Sequence, residues 1–121
     1  MRTAIMCGAL ALAITTAGAA ETNPYSANNM LVYCKAFIGE GPAAENVTAS
    51  LYCKGMIDML IFMSHYMDNY PDACIQVPNG ATAGQEARII VRYVEAHPGR
   101  MHETLHGLAI EALHNAWPCR K

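Results

Sequence analysis

The chain has 121 residues, of which 53 % are hydrophobic and 15 % are charged, and its formal net charge is −2 at neutral pH. This length predicts one domain, because two separate pieces would each be too small to bury a core. The composition excludes a disordered chain, and the absence of a basic patch argues against nucleic-acid binding.

The first twenty residues have the three parts of a secretory signal peptide. A basic start at Arg2 leads into an apolar run from Ala4 to Ile14, and small residues follow over positions 17–20. Because the apolar run is too short to span a bilayer, we expect residues 1–20 to be cleaved on export. Residues 21–121 are then the mature single domain, which has no membrane span.

Cleavage would also remove Cys7 and leave Cys34, Cys53, Cys74 and Cys119. An even number of cysteines in a small exported chain predicts two disulfides, although four cysteines allow three pairings and sequence cannot choose rigorously. We favour Cys34 with Cys53 and Cys74 with Cys119, because each bond would then join neighbouring helices. Metal binding by the four thiols is the alternative, and the absence of a C-x-x-C pair disfavours it.

Two helices are predicted in the first half of the chain. The first begins near Ser26, with Ser26 or Asn28 as its cap, and runs to Gly39. After a loop over residues 40–46, the second runs from about Val47 to Met67 or Tyr70.

The second helix is apolar on two faces. One face carries Leu51, Gly55, Met59, Phe62, Met63 and Tyr66, and the other carries Cys53, Met56, Ile57 and Leu60. A helix that is apolar nearly all round is expected in the middle of a fold, so its methionines are interpreted as core residues rather than copper ligands. Its polar residues form a single stripe, interpreted as a solvated edge: Lys54, Asp58, His65 and Asp68.

Two further helices are predicted after a long connection over residues 69–81, which is rich in turn formers. Thr82 and Gln85 form a capping box that begins the third helix, which ends at His97 before a proline. The fourth opens near Met101 and ends at Ala116. Since no stretch shows the alternation of a strand, we expect an all-α bundle of four to five helices.

The segment from His102 to His106 reads His-Glu-Thr-Leu-His, a literal H-E-x-x-H. On a helix this spacing presents two zinc ligands with Glu103 as a general base, which would make the protein a zinc peptidase. We disfavour that hypothesis because no suitable third ligand follows and no strand precedes the motif to hold a peptide. The sequence therefore predicts no catalytic residue, no metal site and no cofactor.

The order of short motifs in the chain resembles one known family. The second half carries Cys74, Pro78, Thr82-Ala83-Gly84-Gln85, Arg92-Tyr93, His97-Pro98 and Trp117-Pro118-Cys119, and the first half carries Leu31 with Cys34 and Cys53-Lys54-Gly55. In this the chain is similar to the Rap/Tai family of type VI secretion immunity proteins. In this chain Gln76 and Val77 stand between Ile75 and Pro78, whereas in the family pattern the proline follows the isoleucine directly.

The resemblance implies a periplasmic immunity protein that binds and occludes a secreted effector, a peptidoglycan-degrading amidase. A second copy of the chain is a further candidate partner. Because loops carry most such contacts, residues 69–79 and 40–46 are the candidate contact segments. The alternatives are the zinc peptidase at His102, Glu103 and His106 and a periplasmic binding or structural domain of the same fold with no toxin partner.

Overall fold

The computed structural model describes residues 23–67 and 69–120, so the predicted signal peptide over residues 1–20 lies outside the described residues and stays a prediction. The described chain forms four α-helices and one short 3-10 helix. They are α1 (Ala27–Phe37), α2 (Val47–Ser64), α3 (Ala83–Glu95), the 3-10 helix Pro98–Arg100 and α4 (Leu105–Ala116). In these residues β-type pairing is limited to two isolated bridges, and the predicted all-α fold is confirmed.

Side-chain caps fix where three of the helices begin. Asn46 accepts a hydrogen bond from the backbone N–H of Ala49 at the start of α2, at 3.0 Å. Thr82 caps α3 through the N–H of Gln85, and Thr104 caps α4 through the N–H of Gly107. Each cap satisfies a donor that the first turn of a helix leaves without a partner.

The end of α1 is set by Gly39, whose φ is +76°. This left-handed conformation turns the chain back so that the N–H groups of Gly39 and Glu40 bind the carbonyls of Ala36 and Lys35, at 3.0 and 2.8 Å. The paired bonds form a Schellman motif, which glycine permits because it has no Cβ. The loop over residues 40–46 follows at once.

The core lies where α1 packs against α2 and α3, and α3 packs against α4. The disulfide between Cys34 and Cys53 joins α1 to α2 inside this core, where both cysteines are fully buried. The disulfide between Cys74 and Cys119 joins the connection before α3 to the segment after α4. Both favoured pairings are therefore present. The largest fully buried side chains include Ile57, Ile90, Leu105, Leu108 and Leu113.

The second helix is shorter than the sequence predicts, because α2 ends at Ser64 and not at Met67 or Tyr70. The buried Ser64 hydroxyl bonds the carbonyl of Ile61 at 2.7 Å and reaches the carbonyl of Ile75 at 3.5 Å. A hydroxyl bonded to the backbone of its own helix competes with helix propagation. The connection after α2 is thus held against the end of that helix.

The prediction that α2 lies in the middle of the fold is wrong. Its buried face holds Ala49, Cys53, Met56, Ile57 and Ser64, while no helix within residues 23–67 and 69–120 packs over the opposite face. Met59 and Met63 were expected in the core, and they are 57 % and 41 % exposed. The part of the chain that the structure describes supplies four α-helices, so a helix at the edge of the bundle is covered on one side.

Candidate interaction surface

The H-E-x-x-H segment does not form the site that its spacing predicts on a helix. His102 and Glu103 precede α4, whose N-cap is Thr104, so the two histidines do not share one regular helix face. His106 lies against the ring of Tyr25, with centroids 6.3 Å apart. Across residues 23–67 and 69–120, no group of three or more histidine, cysteine or acidic side chains could hold a metal ion.

Glu103 instead belongs to a cluster of charged groups centred on Arg100. Its two oxygens accept hydrogen bonds from Arg100 Nε and Nη2 at 2.8 and 2.7 Å. Arg100 also donates to both oxygens of Glu111 on α4, and the Tyr93 hydroxyl on α3 donates to Glu111 Oε2 at 2.8 Å. The cluster joins the 3-10 helix to α3 and α4, so its role is to hold these elements together.

The pKa values of the cluster follow from these hydrogen bonds. Arg100 lowers the pKa of Glu111 to about 2, although partial burial acts in the opposite direction. The same guanidinium lowers the pKa of Glu103, and the hydrogen bond to Glu111 raises the pKa of Tyr93. A general base needs a carboxylate with a pKa near the working pH, so neither glutamate is suited to that task.

The most unusual surface in the described chain is the outer face of α2. Its large apolar side chains are exposed in a continuous row, here called the α2 face: Leu51 at 61 %, Tyr52 at 40 %, Met59 at 57 %, Phe62 at 55 %, Met63 at 41 % and Tyr66 at 72 %. Met59 lies seven residues after Tyr52, and Phe62 and Met63 follow Met59 by three and four residues, which places them on one side of the helix, while Tyr66 lies just beyond its end. Scattered apolar residues on a surface are ordinary, but a contiguous apolar patch marks an interaction site.

The α2 face carries no charge along its length. Lys54 and Asp58 form a salt bridge one turn apart and mark one edge, and the contact of Tyr52 with Tyr33 of α1, with ring centroids 5.0 Å apart, marks the other. Phe62 and Tyr66 also lie against each other, at 5.3 Å. The centre of the face is therefore aromatic and aliphatic, with polar groups at its rim, as in protein–protein interfaces.

Gly55 lies in the middle of this face and has no intramolecular reason to be glycine. A Cβ built at Gly55 would meet no atom within 4 Å. Glycine inside a helix costs about 1 kcal/mol relative to alanine, and here nothing in the described chain uses the space. The gap lets another backbone approach α2 closely, because no side chain stands between them.

The helix is also long and apolar enough to cross a membrane, judged by length and composition alone. Its other face, however, is bonded through Cys53 to α1 and packed in the core. Lys54 and Asp58 near its centre would be costly in a bilayer. We therefore interpret the apolar outer face as a contact surface on a core helix.

The two candidate contact loops do not lie together. Residues 40–46 precede α2 and residues 69–79 follow it, so the 18 residues of the helix separate them, a length of about 27 Å at 1.5 Å per residue. Two open cavities, of about 430 and 450 Å³, border the later segment and share Gln76, Val77 and Arg120. The earlier loop borders one of about 130 Å³ through Glu40.

Comparison with known protein families decides the identity of the chain. The family model of the Rap1a immunity proteins matches residues 6–119, which is nearly the whole sequence. The chain belongs to the Rap1a immunity protein family. No curated protein and no solved structure matches it.

Membership of the Rap1a family identifies the chain as an immunity protein of a secretion system, which binds a cognate effector. It confirms the resemblance found in the sequence and favours a binding protein over an enzyme. The two disulfides agree with an exported Rap1a protein. The α2 face was missed as a surface because its residues, read alone, fit a buried helix equally well.

Proposed function

We propose that this Rap1a protein is a periplasmic immunity protein that binds a peptidoglycan amidase delivered by a type VI secretion system and blocks its active-site cleft. The observation that carries the proposal is the match of the family model across residues 6–119. Two disulfides support a location in an oxidising compartment such as the periplasm. Cell wall is the substrate that an effector would meet in that compartment.

The contact with the effector is assigned to the segment over residues 69–79. Most of this segment is exposed, including Tyr70 at 67 %, and its later part borders two open cavities. It is anchored near its middle by Ile75, which is buried in the core, and at its later end by the hydrogen bond from the Ala81 N–H to the Pro78 carbonyl. A rigid, exposed loop loses little entropy when it enters a cleft.

The α2 face is assigned to a second copy of the chain. Its uncharged centre suits self-association, because two copies of a face with no net charge meet without repulsion even though each whole chain is acidic. A stable interface covers about 800 Å² on each partner. The six side chains of the face, 40–72 % exposed, supply an area of that order, given that a large aromatic side chain covers about 200 Å².

The α2 face and the later part of the 69–79 segment lie on different sides of α2. The later part of the 69–79 segment lies beside Ile61 and His65, which line the cavity around it. By helical spacing these residues are on the opposite edge of α2 from Tyr52 and Met63. A dimer formed through the α2 face would therefore carry two accessible effector-binding segments.

Binding and enzyme inhibition with the effector encoded beside this gene test the proposal. The purified mature protein is expected to bind that effector and to stop its cleavage of peptidoglycan at one immunity chain per effector. Replacing Asn79 with Lys should weaken binding, whereas Asn115→Lys, at an exposed position of α4, is the matched control. Binding without loss of hydrolysis, or the absence of binding to any neighbouring effector, would contradict the proposal.

A further inference from the structure

The two disulfides of this protein differ in access to solvent. Cys34 and Cys53 are fully buried between α1 and α2. Cys74 and Cys119 are only partly buried, and both line the same open cavity of about 450 Å³. A thiol from solution can therefore approach the second disulfide and not the first.

The surroundings of the accessible disulfide favour attack by a thiol. His65 and Arg120 line the same cavity as Cys74 and Cys119. The guanidinium of Arg120 carries a positive charge, so it attracts an incoming thiolate and stabilises the thiolate that leaves. Both effects speed thiol–disulfide exchange, whose rate depends on the attacking thiolate, the leaving group and access to the bond.

Few hydrogen bonds hold the C-terminal segment to the 69–79 segment once this bond is cleaved, although Ile75 remains buried in the core. The C-terminal segment is joined to the 69–79 segment by the hydrogen bond from Gln76 to Trp117, at 2.9 Å, and by the bridge between Ile75 and Pro118. His114 Nδ1 donates to the carbonyl of Cys74 at 2.7 Å, and Arg120 N–H reaches Gln76 at 3.4 Å. These bonds are exposed or half-buried, so the disulfide is the one covalent hold on this contact.

We propose that the Cys74–Cys119 disulfide is a redox-sensitive site that reacts with low-molecular-weight thiols and, when reduced, frees the segment over residues 69–79. The regulatory half of this proposal rests on the proposed function, because that segment is the assigned effector contact. The buried Cys34–Cys53 bond keeps the core closed in the reduced form. The protein therefore changes its binding surface without unfolding.

The exchange reaction balances in two steps. A thiolate of the reductant attacks one sulfur, which forms a mixed disulfide as the Cys74–Cys119 bond breaks and the other cysteine leaves as a thiolate. A second thiol of the reductant then releases the first cysteine. The protein gains two electrons and two protons, and the reductant becomes its own disulfide.

Native thiol labelling tests the first half of the proposal. The oxidised full chain without its signal peptide is incubated with reduced glutathione, quenched with a maleimide and analysed by peptide mass spectrometry. We expect Cys74 and Cys119 to be labelled at least about tenfold faster than Cys34 and Cys53. Equal rates, faster labelling of the buried pair or no labelling at all would overturn the proposal.

Two variants distinguish the local effect of Arg120 on the labelling rate from the effect of the overall charge of the protein. Arg120→Gln should slow labelling of Cys74 several-fold, whereas Arg88→Gln, on the exposed face of α3, should leave it unchanged. Similar slowing in both variants would show that overall charge, and not Arg120, controls the exchange. The assay is repeated with a neutral thiol such as mercaptoethanol. Arg120→Gln should then slow labelling less, because only the stabilisation of the leaving thiolate by Arg120 is lost.

The release of the segment is measured by hydrogen exchange in the double variant Cys74→Ser/Cys119→Ser, which mimics the reduced state without a reductant. Exchange should rise about tenfold or more over residues 69–79 and stay unchanged at the centre of α1 and α2. Unchanged hydrogen exchange over residues 69–79 would overturn the claim that reduction frees this segment. None of these measurements uses the effector, so they stand or fall independently of effector binding, which is tested above.

Discussion

Arg100 holds Glu111 through two hydrogen bonds, from Nη1 to Oε2 at 2.7 Å and from Nη2 to Oε1 at 2.9 Å. This paired geometry joins the turn before α4 to the middle of that helix, and the Tyr93 hydroxyl adds a third bond from α3. The H-E-x-x-H segment, which matches a zinc-binding motif in sequence, therefore lies next to this ion pair. The pair has a measurable effect on stability.

Replacing Glu111 with Gln is expected to lower the free energy of unfolding at pH 7 by about 1 kcal/mol, because the bidentate pair is lost but is partly screened by solvent. The pKa of Glu111 in the folded protein is about 2, below its ordinary value of 4.5. Its contribution is therefore complete above pH 4.5 and is lost as the pH falls towards 2. Urea unfolding at pH 7 and at pH 2.5 measures the difference, which should shrink at the lower pH.

Glu45→Gln, in the exposed loop before α2, is the control for the Glu111 experiment. It removes one negative charge without touching the Arg100 cluster. Equal destabilisation by both variants would show that net charge, and not the ion pair, determines the result.

Glu86 should show the opposite dependence on pH. It is only 6 % exposed, and burial, with a smaller effect from Asp58, raises its pKa above 4.5. The folded state thus holds this proton more tightly than the unfolded state, so the stability contribution falls as the pH rises from 4.5 through the raised pKa. Glu86→Gln should increase the free energy of unfolding at pH 7 by up to about 1 kcal/mol and change it little at pH 4.

Urea unfolding of Glu86→Gln at both pH values is compared with Glu40→Gln, an acid at an exposed position. A loss of stability at pH 7 would mean that the attraction of Lys54 for the ionised carboxylate outweighs the cost of burying it. That attraction is the one factor that lowers the pKa of Glu86.

The buried disulfide should be essential to stability. The double variant Cys34→Ala/Cys53→Ala removes the bond that closes a loop whose ends are 19 residues apart in sequence. In the chain-entropy model its loss should lower the free energy of unfolding by about 3 kcal/mol. The midpoint of urea unfolding measures the loss. Since both sulfur atoms are buried in the core, a loss well below about 3 kcal/mol would contradict the claim that this bond is essential to stability.

A charge in the centre of the α2 face should abolish self-association. Phe62 is 55 % exposed, so Phe62→Lys should leave the monomer folded while placing two like charges across the proposed interface. Sedimentation equilibrium is expected to show a dimer for the parent protein and a monomer for the variant. Asn115→Lys adds the same charge on α4 and should remain dimeric, and a monomeric parent at 100 µM would refute the assignment.

Substitution of Gly55 should change the stability of the folded monomer and the stability of the dimer in opposite directions. Its Cβ position is open within the chain, so Gly55→Ala should stabilise the monomer by about 1 kcal/mol. In the dimer the added methyl group would keep the two helices apart, and we expect the dissociation constant to rise at least tenfold. Urea unfolding in the Phe62→Lys background and sedimentation of the single variant give the two values, and a dimer unaffected by Gly55→Ala would place the contact elsewhere.

Short-range chemistry made much of the fold predictable. Ser26 at the N-cap position of α1, the side-chain cap at Thr82, the glycine after α1 and the proline after α3 are local features, so their sequence patterns predict helix starts and ends. The start of α4 was placed too early, at Met101 instead of Leu105. Thr104 caps that helix, and the preceding residues are drawn into the bonds around Arg100.

By itself the sequence determined the all-α composition and the family, because these depend on local spacing and on the order of motifs, and it favoured the cysteine pairing that the structure shows. Only the tertiary structure decided which side of α2 is covered, that His102 and Glu103 lie outside a helix, and which disulfide solvent can reach. Hydrophobic spacing shows that two faces of a helix are apolar, but burial depends on how many neighbours pack around it. A four-helix bundle covers one face of α2 and leaves Leu51, Met59 and Phe62 in solvent.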